Sequence, residues 1–150
     1  MKKFSYRMEN ILQIKQQLEQ QQKIDFAIAS QKYEEEKEKL IRLTIQQRGY
    51  ERRARELMTQ KLNVRDLKEN KRAIDTMKSL IRTQMIAVHQ AEKALEKERK
   101  KLSEIQIDRK THEKLKEYAF RDYMKEYDME ESKEIDQIVA YNYSRKEGEA

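Results

Sequence analysis

In the second half of the chain an apolar residue recurs at every seventh position without interruption, at Leu67, Ile74, Ile81, Val88, Leu95 and Leu102. The residues three positions further on are weaker and often polar: Asn70, Met77, Gln84, Ala91, Glu98 and Ile105. Two apolar positions in each heptad are the pattern that helices bury when they supercoil around one another. The repeat therefore predicts a long helix that needs a helical partner.

The first half of the chain supplies that partner, because it alternates the same steps of four and three residues through Ala29, Tyr33, Glu36, Leu40, Leu43, Gln47, Tyr50, Ala54 and Leu57. The 150 residues include no proline and two glycines. The only plausible turn is 58–63, where Asn63 can cap the next helix. We predict an all-α fold, an antiparallel coiled-coil hairpin forming a single domain over 1–150. Helix one covers about 5–58, the turn 58–63, helix two 64–143, and 144–150 is frayed.

Antiparallel pairing at this turn fixes which residues face each other. It places Leu57 opposite Leu67, Leu43 opposite Ile81 and Phe4 near Phe120. Two pairs are poor, Glu36 with Val88 and Phe26 with Glu98, and their long polar side chains are predicted to reach the solvent at the rim.

The same register leaves the longer C-terminal helix overhanging its partner after about residue 122. The overhang continues an apolar stripe that begins at Phe120 and includes Met124, Tyr127, Ile135 and Ile138. An apolar stripe on a single helix is expected to bind a partner, such as a groove or a channel.

Composition excludes several classes of protein. Charged residues make up 41 % of the chain, and there is no cysteine for a disulfide, a thiol nucleophile or a cysteine zinc site. No apolar run approaches the roughly 20 residues that span a bilayer, and the N-terminus lacks the apolar core of a signal peptide. His89 and His112 are too far apart on one helix to share a metal ion. We predict a cytoplasmic protein that is not an enzyme, with no cofactor, no bound metal and no direct membrane insertion.

The charges are unevenly distributed although the formal net charge is only +6. Residues 48–72 carry nine basic and four acidic side chains, whereas residues 121–136 carry three basic and seven acidic ones. Opposite charge at two ends can orient a protein between two partners. Solvated faces stabilised by pairs of oppositely charged residues four apart are an equally good interpretation.

Three segments resemble one known family. The opening Phe4-Ser5-Tyr6-Arg7-Met8-Glu9-Asn10-Ile11-Leu12 is similar to the start of the FliJ family of the bacterial flagellar type III export apparatus. The junction Leu62-Asn63-Val64-Arg65-Asp66-Leu67 resembles the middle of that family, and Lys110-Thr111-His112-Glu113-Lys114-Leu115 with the following tail resembles its end.

This resemblance implies a stalk similar to the central shaft of rotary ATPases. The end with both termini would enter the pore of the flagellar export ATPase hexamer (FliI-like), through Phe4, Arg7, Phe120, Met124, Tyr127, Ile135 and Ile138. The turn end would contact the cytoplasmic domain of an FlhA-like export gate, through Lys39, Leu43, Gln46, Tyr50, Ala73, Met77, Leu80 and Gln84. The resemblance also implies export chaperones as partners and a location at the cytoplasmic face of the membrane at the flagellar base. The fine mixing of basic and acidic residues along most of the chain predicts that nucleic acid is not a partner.

Two alternatives remain open at this stage. The first is the equivalent stalk of a virulence type III secretion system, which has the same fold. The second is a general basic coiled coil that binds nucleic acid or anionic lipid, and such binding weakens steeply as the salt concentration rises.

Overall fold

The computed structural model describes residues 2–61 and 63–149, and all regular secondary structure in that part of the chain is helical. Helix α1 (Glu9–Thr59) has 51 residues, and helix α2 (Val64–Glu149) has 86. The two helices pack against each other in antiparallel directions. The predicted all-α class with a longer second helix is confirmed. Of the predicted turn, Leu62 lies outside the described residues.

Both outer helix boundaries differ from the prediction. Helix α1 begins at Glu9 instead of about residue 5, because Phe4 packs against the aromatic rings of α2 and the Lys2 carbonyl accepts a hydrogen bond from Tyr123. Helix α2 continues to Glu149, past the predicted end at residue 143. No proline interrupts the last turns, and Lys146 places a positive charge where it stabilises a helix C-terminus.

Asn63 caps α2 as the sequence predicts. Its side-chain Oδ1 accepts a hydrogen bond from the backbone N–H of Arg65 at 3.1 Å, and its carbonyl accepts one from the backbone N–H of Leu67 at 3.1 Å. Asp66 puts a negative charge in the first turn, near the positive end of the helix dipole. A cap of this type contributes about 1 kcal/mol to helix stability.

Contacts group the chain into two compact units, one formed by Gln20–Ser103 and the other by residues 1–19 with 104–150. Each unit contains a part of α1 and a part of α2. The interpretation of the chain as a single domain stays a prediction.

The seam of the unit Gln20–Ser103 is polar at several of its most buried positions. Ala91 is buried, but so are Gln22, Glu36 and Asn70. The expectation that Glu36 reaches the solvent is wrong, since only 6 % of this residue is exposed. Its carboxylate stays inside because Lys32 and the side-chain amide of Gln84 satisfy it there.

The predicted pairing of α1 with α2 in this unit is also wrong. Glu36 meets Gln84 instead of Val88, and Glu98 meets Gln22 instead of Phe26. Within this unit the helices are therefore aligned about one turn away from the predicted register.

The other unit joins its helices through ion pairs. Lys15 Nζ lies 2.7 Å from Asp108 Oδ2, and Lys116 Nζ lies 2.7 Å from Glu9 Oε2. Arg109 contacts the buried Glu19 across the seam. Leu12 is buried in the same unit. Such contacts stabilise the pairing with little apolar area, so we expect the unit to be only moderately stable.

Candidate partner-binding surfaces

The residues predicted to bind the export gate all belong to the unit Gln20–Ser103, and we call them the mid-chain surface: Lys39, Leu43, Gln46, Tyr50, Ala73, Met77, Leu80 and Gln84. Helix α1 supplies the first four and α2 supplies the last four. The structure brings six of them to two adjacent clefts, which share Gln46.

The larger cleft has a volume of about 590 Å³. Its walls combine apolar and charged groups from both helices: Gln46, Gly49, Tyr50, Arg53, Leu57, Asp66, Glu69, Asn70 and Ala73. The smaller cleft, of about 250 Å³, is lined by Lys39, Arg42, Leu43, Gln46 and Gln84. Clefts open on one side and lined in this way suit the side chains of an extended peptide or a helix.

Met77 and Leu80 line neither cleft. Leu80 is 44 % exposed, and Met77 is half-buried. Tyr50, also exposed, lies in the wall of the larger cleft. Exposed apolar side chains grouped on one face are typical of protein-binding sites, whereas isolated ones are common on any surface.

Gly49 leaves the mouth of the larger cleft open. A Cβ atom built at this position would have no heavy atom within 4 Å, so packing inside the chain does not require glycine here. Glycine within a helix costs about 1 kcal/mol relative to alanine. The absence of a side chain at this position leaves room for an incoming group beside Tyr50.

The larger cleft also includes four residues that the sequence did not predict for this surface: Arg53, Asp66, Glu69 and Asn70. Asn70 could have been predicted from the sequence, because it is a polar residue at a heptad position that is normally apolar. Arg53, Asp66 and Glu69 could not, because a chain with so many charged residues places most of them on solvated faces.

Glu36 is a buried carboxylate that contacts two residues of the mid-chain surface, Lys39 and Gln84. Its carboxylate lies 2.8 Å from Lys32 Nζ and 3.6 Å from Lys39 Nζ, and it accepts a hydrogen bond from Gln84 Nε2. The hydrogen bond from Lys32, followed by that from Gln84, lowers the pKa of Glu36 from 4.5 to about 2. Two residues of the mid-chain surface, Lys39 and Gln84, are therefore held from within by this carboxylate.

Acidification from pH 4.5 towards pH 2 is expected to destabilise the chain through Glu36. The unfolded chain protonates Glu36 near pH 4.5, whereas the folded chain resists protonation until about pH 2. The stability contributed by this group is therefore complete above pH 4.5 and is lost as the pH falls through that window. Thermal unfolding followed by circular dichroism at a series of pH values measures the loss.

Glu36→Gln should have a smaller loss of melting temperature between pH 4.5 and pH 2 than the wild type. Lys32→Gln, which removes the largest cause of the lowered pKa, should give an intermediate loss. Equal slopes for the wild type and Glu36→Gln would contradict the assignment.

The residues predicted to enter the ATPase pore belong to the other unit, and we call them the terminal surface: Phe4, Arg7, Phe120, Met124, Tyr127, Ile135 and Ile138. Phe4 and Phe120 meet edge to face with ring centroids 5.1 Å apart, which confirms their predicted proximity. Tyr123 packs against Phe4 at 5.3 Å and against Tyr127 at 6.3 Å. Its hydroxyl donates to the Lys2 carbonyl at 2.7 Å. These aromatic contacts attach the N-terminal segment to α2.

Beyond this aromatic cluster α2 is exposed on every side. Each described side chain from Met124 to Gly148 is exposed, including Ile135 at 54 % and Ile138 at 60 %. At 100° per residue, an arc of about 80° contains Phe120, Met124, Tyr127, Ile135 and Ile138, whereas Met129 lies on the opposite side. One face of the exposed helix is thus largely apolar, with Glu131 within it, and the other acidic residues of 121–136 lie outside that arc.

Arg7 does not extend the apolar stripe, since it is exposed and precedes the first residue of α1. Tyr123 was not predicted to belong to the terminal surface, although it contacts Phe4 and Tyr127. Its aromatic side chain, close to Phe120 in the sequence, is the feature from which this contact could have been predicted.

Within residues 2–61 and 63–149, no three His, Asp or Glu side chains come close enough together to hold a metal ion. His112 is mostly buried, with Nε2 3.7 Å from Asp108 Oδ1. No helix in the described part of the chain is both long and apolar enough to cross a membrane.

The fold and these surfaces define a two-helix antiparallel coiled-coil protein that exposes apolar side chains. The model of the flagellar FliJ protein family matches residues 4–148, nearly the whole chain. The chain therefore belongs to the flagellar FliJ family, a non-catalytic component of flagellar type III protein export. Neither a curated protein nor a solved structure matches it.

Proposed function

We propose that this protein is a non-enzymatic coupling protein that links the flagellar export ATPase ring to the membrane export gate. The observation that carries the proposal is the exposed C-terminal part of α2. From Met124 to Gly148 every described side chain is exposed, and one face of the helix is largely apolar. A partner that encloses this face removes its apolar side chains from water, which is favourable.

The central pore of a hexameric ATPase is a partner of the right kind for the terminal surface. It can surround a single helix, bury the face that contains Ile135 and Ile138, and offer basic side chains to the acidic residues of 121–136. Membership of the FliJ family supports an export ATPase in this role.

The mid-chain surface is proposed to bind the cytoplasmic domain of an FlhA-like gate. Its larger cleft admits a side chain beside Gly49 and Tyr50, and Leu80 adds exposed apolar area. Chaperones that deliver export substrates would be further partners, and binding both the ATPase and the gate would place the protein at the cytoplasmic face of the membrane. The family match supports the flagellar system over a virulence secretion system.

Nucleic acid or anionic lipid is the less favoured partner. Basic residues are numerous in 48–72, but Asp66 and Glu69 stand beside Arg53 in the wall of the larger cleft. A surface that neutralises phosphates would collect cations without such interspersed carboxylates.

Capture from motile cells on immobilised full-length protein tests the proposal. The expected result is recovery of a hexameric ATPase, identified by mass spectrometry, and the recovery should persist at moderate salt. Variant Ile135→Asp with Ile138→Asp should lose the ATPase. Recovery of nucleic acid alone, eluting steeply with salt, would overturn the proposal.

A further inference from the structure

Three hydrogen-bonded clasps join α1 to α2 within Gln20–Ser103, and in each of them a side-chain amide donates to a backbone carbonyl of the opposite helix. Gln22 Nε2 donates to the Glu98 carbonyl at 3.0 Å, Gln84 Nε2 to the Glu36 carbonyl at 2.9 Å, and Asn70 Nδ2 to the Tyr50 carbonyl at 3.1 Å.

The clasps are evenly spaced. On α1 they involve residues 22, 36 and 50, and on α2 residues 70, 84 and 98, so that neighbouring clasps are two heptads apart on both helices. In the two clasps that contain a glutamate, the same amide also donates to that carboxylate, Glu98 or Glu36. Repetition of one arrangement at a fixed interval indicates a property of the pairing.

Between the clasps the corresponding heptad positions are apolar. Ala29 and Leu43 occupy them on α1, and Met77 and Ala91 occupy them on α2. Polar and apolar positions therefore alternate with a 14-residue period along α2, and along α1 from Gln22 to Leu43. In the observed alignment the side chains of Gln22 and Glu98 meet, as do those of Glu36 and Gln84, whereas Asn70 meets the backbone carbonyl of Tyr50.

A shift of one heptad would separate both amide–carboxylate pairs. Glu98 would then face Ala29 and Glu36 would face Ala91, so each buried carboxylate would lose the amide that satisfies it, which is strongly unfavourable. The bonds to backbone carbonyls discriminate less, because every residue of the opposite helix has a carbonyl. A fully apolar heptad seam carries no such penalty and tolerates several alignments.

The segment that connects the two helices does little to fix their alignment. The segment 58–63 contains neither glycine nor proline, so no residue demands a particular turn. A one-heptad shift would move the turn along the chain while it keeps nearly the same number of helical residues. The Asn63 cap opposes such a shift at the turn.

We propose that the three clasps are a register lock, which selects one antiparallel alignment of α1 and α2 and thereby assembles the mid-chain surface from its two halves. The link to partner binding rests on the proposed function, whereas the lock itself does not. A shift of one heptad would displace the α1 half from the α2 half by about 10 Å along the helices. Gln84, with its amide held by Glu36, is accordingly a positioning residue.

The absence of cysteine allows the alignment to be measured by paired thiols in the full-length chain. Leu40→Cys with Ile81→Cys reports the native alignment, because this pair lies between the clasp of Glu36 with Gln84 and the apolar pair of Leu43 with Met77. Leu40→Cys with Ile74→Cys and Leu40→Cys with Val88→Cys report shifts of one heptad in the two directions. With the clasps intact, a short bis-maleimide should crosslink only the native pair within one molecule.

Replacement of all five clasp side chains should release the lock: Gln22→Leu, Glu36→Leu, Asn70→Leu, Gln84→Leu and Glu98→Leu. We expect the helicity to persist, the melting temperature to rise because the seam becomes apolar, and the shifted pairs to crosslink as well as the native pair. Crosslinking confined to the native pair in this variant would overturn the lock.

A smaller replacement, Glu36→Leu with Gln84→Leu, serves if the fivefold variant aggregates, and it should raise the yield of the shifted pairs severalfold. An unchanged yield would count against the proposal. Because the crosslinking involves no partner, its failure is distinguishable from failure of the ATPase or gate to bind.

Discussion

Removal of residues 124–150 is expected to leave the paired helices folded and to abolish stimulation of the export ATPase. The truncation retains Phe120 and Tyr123, which hold Phe4 and the Lys2 carbonyl, so the aromatic cluster that attaches the N-terminal segment to α2 survives. A truncation from residue 121 would remove Tyr123 and confuse loss of the terminal surface with loss of this attachment. Circular dichroism verifies folding, and the rate of ATP hydrolysis with and without the protein measures stimulation.

Point variants in the full-length chain sharpen this test. Ile135→Asp with Ile138→Asp places two charges on the apolar face, and we expect ATPase binding to weaken about tenfold or more, since buried apolar anchors carry most of the energy of an interface. Gln137→Asp with Ala140→Asp is the matched control, because it adds the same two charges on the opposite side of the helix. Full stimulation by the truncated protein, or equal loss in both point variants, would reject the apolar face as the ATPase-binding site.

The second large effect is expected at the mid-chain surface. Leu80→Glu or Met77→Glu should preserve helicity and weaken binding to the cytoplasmic domain of the gate by roughly 30-fold, which corresponds to about 2 kcal/mol. The physical reason is that a carboxylate placed in an apolar contact loses its hydration without gaining a partner. Titration calorimetry with the purified gate domain measures the change in affinity.

Ile86→Glu provides the control for these substitutions. Ile86 lies on the same helix and is 60 % exposed, so the change in charge and size matches that of Leu80→Glu, but the residue is outside the mid-chain surface. We expect gate affinity close to that of the wild type for this variant. If Leu80→Glu and Met77→Glu also bind normally, the gate must contact another part of the chain.

The two sets of variants should act independently of each other. Substitutions on the terminal surface are expected to change ATPase stimulation without changing gate affinity, and those at Leu80 and Met77 to do the reverse. Variants of the register lock differ from both, because they leave Leu80, Met77, Ile135 and Ile138 in place. They are read by crosslinking and not by gate affinity, since they also replace Gln84 of the mid-chain surface and Asn70 of the larger cleft.

Much of the fold could be read from the order of residues. The heptad from Leu67 to Leu102 requires a helical partner, and the near absence of helix breakers leaves one position for the turn. The cap at Asn63 follows from that turn. The exact alignment of the helices does not, and Phe4 reaches Phe120 from the segment that precedes α1. The ends of the helices were less predictable, since the start of α1 at Glu9 depends on the aromatic packing of a residue more than one hundred positions away.

The sequence by itself determined that this chain forms two long antiparallel helices and that the second is longer. The reason is that the spacing of apolar residues and the positions of helix-breaking residues are local features, which can be seen in the order of residues. Only the tertiary structure decided the role of the polar seam positions. Glu36 and Gln84 look like defects in a heptad, and the structure makes them partners through hydrogen bonds that cross between the helices. A hydrogen bond depends on which atoms of distant residues come within about 3 Å of each other, and no local pattern contains that information.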